Sequence, residues 1–275
     1  MGAARGPGLA PPRPRPYSST APSGPGRHGS RFDLDTVASS SLPVEEVVSM
    51  TVTGRRKTDG ARALEALRDE SASVRLRAAL AVGSAPDPRF VAELVERCAV
   101  EPEFFVRDML TWAITRHPVA DTLPLLLDEA RSERAQARSQ ALHSLSKVGD
   151  PRGWRAITRG VLTDADDEVA RSAWRASVLL VPEEEEAALA AVLVTQLGRG
   201  GHPTQLSLSR ALIALGNATA PALDLAKRAA DPVVRAHALA IERLRHDPDT
   251  GFAFALEEAK RTVALGPAAD GVGGT

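Results

Sequence analysis

The stretch Ser73-Val-Arg-Leu-Arg-Ala-Ala-Leu-Ala-Val-Gly83 decides the fold. Its apolar residues fall at helical spacing, and a degenerate form of it returns along the chain. The copies run from Val106-Arg107 to Ala113-Ile114, from Ala137-Arg138 to Ser144-Leu145, from Ala170-Arg171 to Ser177-Val178 and from Val234-Arg235 to Ala240-Ile241. A weaker copy, from Thr204-Gln205 to Ala211-Leu212, fills the remaining gap. Taking Gln205 as an Arg equivalent, the intervals are 32, 31, 33, 34 and 30 residues. A near-fixed period of this size belongs to an array in which each unit buries its apolar face against the next. The expectation is an all-α chain: an α-solenoid, a right-handed superhelix of about six helix pairs over residues 60–266.

Within each period a first helix precedes the quoted unit. The pattern pairs 61–70 with 73–83, 87–99 with 103–116, 119–131 with 135–148, 152–162 with 167–180, 183–198 with 202–215 and 220–229 with 232–245. A final helix over 251–265 is left as an end cap. Gly83, Gly149 and Gly216 stand where a left-handed residue closes a helix, and Asp87-Pro88 and Asp150-Pro151 set an acceptor before a first-turn proline. The acidic run 183–186 follows Pro182 and reads as a dipole-favoured helix start, and the run 164–168 reads as a loop with an N-cap, since it lacks the glycine and distal glutamate of an EF-hand loop.

Bulk properties bound the rest. The 275 residues are 43% hydrophobic but only 4% aromatic, so the core must be built from Ala, Leu and Val. A formal charge of −1 gives no global field for nucleic acid or membrane. One cysteine, Cys98, excludes an intramolecular disulfide framework and a cysteine-based zinc site. No apolar run is long enough to span a bilayer, and the proline-broken start lacks a secretory h-region, so the expected compartment is the cytoplasm. Residues 1–41, rich in Pro, Gly, Ser and Arg, read as a disordered tail, with a basic polyproline ligand at 11–16 as the functional alternative. Residues 42–59 read as a linker or cap, 267–275 as a second tail, and Met50 as an alternative start.

The segments "DESASVRLRAALAVG" (69–83), followed by Asp87-Pro88-Arg89, and "ADPVVRAHALA" (230–240) resemble HEAT-like repeats of the phycobilisome-lyase type. The resemblance covers roughly residues 60–265 and implies the fold more than the function, because such repeats serve scaffolds, lyases, hydroxylases and DNA-repair enzymes alike. It implies that Arg75, Arg107, Arg138, Arg171 and Arg235 form an internal ladder, each bonding an acid or carbonyl of a neighbouring repeat; a phosphate track is the other reading. The repeated His-Glu pairs of deoxyhypusine hydroxylases are missing, and no metal-ligand spacing or cofactor motif is present. Alkylpurine DNA glycosylases of HEAT-like architecture are a rival, given Asp108, Trp112, Trp154 and Trp174, although Trp174 falls at a core position. A bilin lyase would need a tetrapyrrole cleft. The Ala/Arg/Gly-rich composition reads as bacterial.

What remains is a surface. With the repeated Arg as origin, positions +1, +2 and +5 point toward the groove. In the first three units they are Leu76, Arg77 and Leu80, then Asp108, Met109 and Trp112, then Ser139, Gln140 and His143. The later units give Ser172, Ala173 and Ala176, then Leu206, Ser207 and Arg210, then Ala236, His237 and Ala240. Leu76, Leu80, Met109 and Trp112 are apolar where solvated residues belong, with Arg77, Asp108 and Arg116 around them. Two readings stand: a protein-binding patch anchored by Trp112, Met109 and Leu80 and directed by Arg77, Arg116, Gln140 and His143, or a surface covered by residues 42–50 or sunk in the core. A groove-facing His143 titrates near its ordinary value of about 6.5. The expected function is a non-catalytic, monomeric adaptor for a protein partner, without metal or cofactor; DNA repair or nucleic-acid binding is the alternative, bilin lyase chemistry the second.

Overall fold

The computed structural model describes residues 53–265, with side chains from Gly60 onward. The tail over 1–41, Met50, the capping segment 42–50 and residues 267–275 lie outside the described residues. Among the described residues every regular element is helical, and no helix is long and apolar enough to cross a membrane.

The first pair is α1 (Thr53–Ala66) and α2 (Ala72–Ser84). Then come α3 (Val91–Val100) with α4 (Phe104–Thr115) and α5 (Val119–Glu129) with α6 (Ala135–Val148). The short α7 (Arg159–Leu162) precedes α8 (Asp167–Leu180), and α9 (Glu186–Val194) precedes α10 (His202–Ala214). The chain continues through α11 (Ala220–Ala226) and α12 (Pro232–His246) to α13 (Phe252–Leu265). Each first helix packs on its own second helix, and the second helices pack in series: α2 on α4, α4 on α6, α6 on α8, α8 on α10 and α10 on α12.

Several expected boundaries coincide with the observed ones, because caps and apolar period are local signals. Asp166 opens α8 by accepting from the backbone N–H groups of Glu168 and Val169, and Asp231 opens α12 by accepting from Val233. Asp87 and Asp150 do the same for short 3₁₀ turns, Pro88–Phe90 and Pro151–Ala156. The glutamate run also divides, into a 3₁₀ turn over Glu183–Glu185 and the start of α9.

Three expectations need correction. The single helix over 152–162 is broken in two, because Thr158 accepts from Val161 N–H and starts a new turn after the 3₁₀ segment. The first helix begins at Thr53 and ends at Ala66 where 61–70 was expected, so the end of the segment read as a linker or cap is helical. Gly83 closes no helix: it is buried inside α2, while Gly149 and Gly216 do adopt positive φ, as do Gly198 and Gly200.

One apolar cluster runs from Leu67 to Ile241 and takes in Ala79, Ala113, Ala141, Ala173 and Ala176 from the second helices. Small side chains let these helices approach closely, while Leu94, Leu110, Leu142, Leu193 and Leu212 fill the volume between them. Each such leucine contributes about 1.5–3 kcal/mol by leaving water. A second cluster joins Ala236 and Ala240 of α12 to Phe252, Ala255, Leu256 and Ala259 of α13. The final helix therefore covers the α12 face that its predecessors leave open.

Candidate functional site

The repeated arginines hold the turns between helices. Arg75 Nη1 donates to the carbonyls of Asp69 and Glu70, Arg107 to those of Glu101 and Pro102, Arg138 to those of Ser132 and Glu133, and Arg235 to those of Ala229 and Ala230. In every case the acceptors stand six and five residues before the arginine, in the turn that follows the first helix. Those carbonyls would otherwise lack partners close to the protein interior. Two of the arginines also reach the next unit. Arg75 pairs with Glu101 at 2.7 Å, where Glu101 is fully buried and also receives Arg97, and Arg138 pairs with Asp164 at 2.9 Å. Burial alone would raise the Glu101 carboxyl, but hydrogen bonds from Arg75 and Arg97 hold it down at about 2. Gln205 performs the turn role weakly, donating to Gly198 and Gly200 carbonyls.

Arg171 departs from the pattern. Counted from the N-cap, Arg75, Arg107, Arg138, Gln205 and Arg235 are fourth, whereas Arg171 is fifth after Asp166. It pairs with Glu168, its Nε has no hydrogen-bond partner among the described residues, and Arg199 reaches the Asp164 carbonyl and the Asp167 carboxylate instead.

This one-residue offset corrects the surface assignment. Counting from the cap, the ninth residues of the second helices are Leu80, Trp112, His143, Arg175, Arg210 and Ala240. Leu80 and Trp112 are 46% and 37% exposed, and Arg175 and Arg210 are exposed. Ser172, Ala173 and Ala176, expected in the groove, are buried; so are Ser139, Ala236, His237 and Ala240, the last under α13.

Of the expected partner-binding residues, Arg77, Leu80, Asp108, Trp112 and Arg116 are exposed. Leu76 and Met109 are half-buried and pack against the core. Gln140 is half-buried and its Oε1 lies 3.8 Å from the Cys98 sulfur. His143 does not face open solvent: burial, with Arg175 and Lys147 beside it, pushes its imidazole down to about 4. The expected patch therefore spreads over two places: Leu80, Trp112 and their charged neighbours stand on α2 and α4, while His143 lines a groove between α6, α8 and α10, with Asp108 of α4 still near enough to act on it.

Residues suited to chemistry are occupied structurally. Trp174 is fully buried and donates its indole N–H to the Leu162 carbonyl at 2.9 Å, so it offers no ring for base stacking. Cys98 is buried and its thiol is pushed up to about 12, which keeps it out of the thiolate form. His237 is buried between repeats: Nδ1 accepts from Gly198 N–H at 3.0 Å, which leaves the proton on Nε2, 2.9 Å from Ser209 Oγ. Among the described residues no group of three or more His, Cys, Asp or Glu is placed to hold a metal. The chain matches no protein-family model, and a search among curated proteins finds no significant match.

Proposed function

We propose that the chain is a right-handed α-solenoid of about six HEAT-like helix pairs that works, as a cytoplasmic monomer, as a non-catalytic adaptor for a protein partner. The serial packing of the second helices supports the solenoid reading. The observation that carries the adaptor reading is the pair of exposed apolar side chains at equivalent positions of α2 and α4, Leu80 and Trp112, with Arg77, Asp108 and Arg116 exposed around them. A large aromatic half out of water among charged neighbours is the usual anchor of a protein interface. The arginine ladder is spent on turn carbonyls and internal acids, which leaves it little to offer a phosphate backbone.

The test is affinity purification with the full chain from the cells that express it, quantified against the Trp112→Ala variant. The reading requires a partner that is retained by the wild type and lost by a variant that still unfolds in one cooperative transition, its melting point lowered only by the packing that the indole contributes over Gly83. Identical recoveries from the two proteins, or micromolar, salt-sensitive binding of alkylated duplex DNA, would overturn it.

A further inference from the structure

The groove between α6, α8 and α10 has a volume of about 400 Å³ and is lined by Lys147, Arg171, Arg175 and Arg210, with no aspartate or glutamate in its wall. Among the described residues the side chains of Lys147 and Arg210 have no hydrogen-bond or ion-pair partner. The Arg175 guanidinium donates, among the described residues, only to Ser172 Oγ, on its own helix. Although its surface stays open to water, the groove walls crowd the Arg175 guanidinium, and this partial desolvation, together with the charge of Arg171, lowers its pKa. In a chain of almost balanced charge, where many arginines are ion-paired, three cations from three consecutive repeats converge here without an ion-pair partner among the described residues, Glu168 acting on Arg175 only at longer range. Apolar side chains share the wall: Val178, Leu206 and Leu179, the last 64% exposed.

One repeat further on, the chain shows what this face accepts. The helix α13 lies on α12 with Phe252 and Leu256 buried, and its Glu258 pairs with Arg243 of α12 at 2.9 Å. An amphipathic segment that brings apolar residues and a carboxylate thus already occupies the last unit. The groove adjoins it: Leu206 and Arg210 also line the cavity that continues to Phe252.

We propose that the α6–α8–α10 groove binds an acidic amphipathic segment of another polypeptide, its carboxylates meeting Lys147, Arg175 and Arg210 and its apolar side chains lying on Val178, Leu179 and Leu206. Charge complementarity sets the sign of the occupant. The wall holds no Phe, Tyr or Trp on which a base would stack, its one ring being the half-buried imidazole of His143, which favours peptide over nucleic acid. This inference goes beyond the adaptor reading, because it uses residues outside the Leu80–Trp112 patch.

Fluorescence anisotropy on the full chain tests it, with a labelled peptide that sets glutamate and leucine at helical spacing, and the same peptide with glutamine for glutamate. The glutamate peptide binds the wild type, weakens as salt rises, and loses about tenfold or more in affinity in Arg175→Gln and in Arg210→Gln. Both arginines are exposed, so both variants keep the wild-type melting transition. Trp112→Ala keeps full affinity for the peptide, which separates failure of this site from failure of the adaptor reading. Equal binding of the glutamine peptide, unchanged affinity in both arginine variants, or displacement of the peptide by duplex DNA at lower concentration overturns the proposal.

Discussion

The indole of Trp112 lies directly over Gly83 of the neighbouring helix: a Cβ on that glycine would stand 2.4 Å from Cζ3 of the ring and 2.9 Å from the Ala113 Cα. The glycine is thus a seat. It lets α2 and α4 meet closely enough for Trp112 to cover the contact with one side of its ring and to present the other to solvent. Gly83→Ala gains helix propensity, by about 1 kcal/mol, but drives its methyl into a ring and a backbone. The expected net result is a loss of about 1–3 kcal/mol in urea unfolding, with a changed Trp112 fluorescence maximum. A variant as stable as the wild type would mean that the two helices are further apart than described.

Glu101 sits at the centre of a second junction, where it receives Arg75 from the preceding unit and Arg97 from its own first helix. Glu101→Gln keeps the shape and removes the charge, leaving the 6%-exposed Arg75 guanidinium without its counterion. Breaking a buried pair in this way costs about 3–5 kcal/mol. Because the folded-state carboxyl is held at about 2 against an ordinary 4.5, its stabilisation is complete above pH 4.5 and lost as pH falls toward 2. Chemical denaturation at pH 7 and at pH 3 checks both statements. The wild type should lose stability between the two, and the variant should lose less.

His237 acts in a different window. Burial pushes its imidazole down to about 4 from an ordinary 6.5, so the unfolded chain takes up the proton first as pH falls. Stability is therefore full above pH 6.5 and declines through pH 4, by an amount on the order of 3 kcal/mol. Protonation of Nδ1 also ends its acceptance from Gly198 N–H, the bond that ties α12 to the loop before α10. His143 contributes to the same window more weakly, being only half-buried. His237→Asn should flatten the stability profile between pH 6.5 and 4. If its profile runs parallel to that of the wild type, the histidine does not titrate on unfolding.

Much of the architecture is legible in residues that act locally. The apolar period and flanking turns place Ala135–Val148 and Asp167–Leu180 to the residue, and Trp174 is read as core because it follows the buried positions of its repeat. The misreading in the fourth unit has a local cause too. The Val/Ala-Arg dipeptide served as the register mark, but Asp166 caps α8 one residue earlier relative to Arg171, and the surface face turns with the cap. Taking the cap as origin would have named Arg175 in place of Ala176.

The sequence by itself determined most of the helices and their pairing, because periodicity and capping are settled within one repeat; it pointed the arginines at a neighbouring repeat, whereas four of them hold turn carbonyls of their own unit and only Arg75 and Arg138 also reach the next. Only the tertiary structure decided which parts of the common face stay open. Ala240 is closed off by α13, whose docking depends on Phe252 and Leu256 finding α12. Trp112 stands half out of water because α2 offers it a glycine. Lys147, Arg175 and Arg210 are roughly thirty residues apart along the chain and individually unremarkable; they become one charged groove only when α6, α8 and α10 are laid side by side, since no local rule records what faces a side chain from the next repeat.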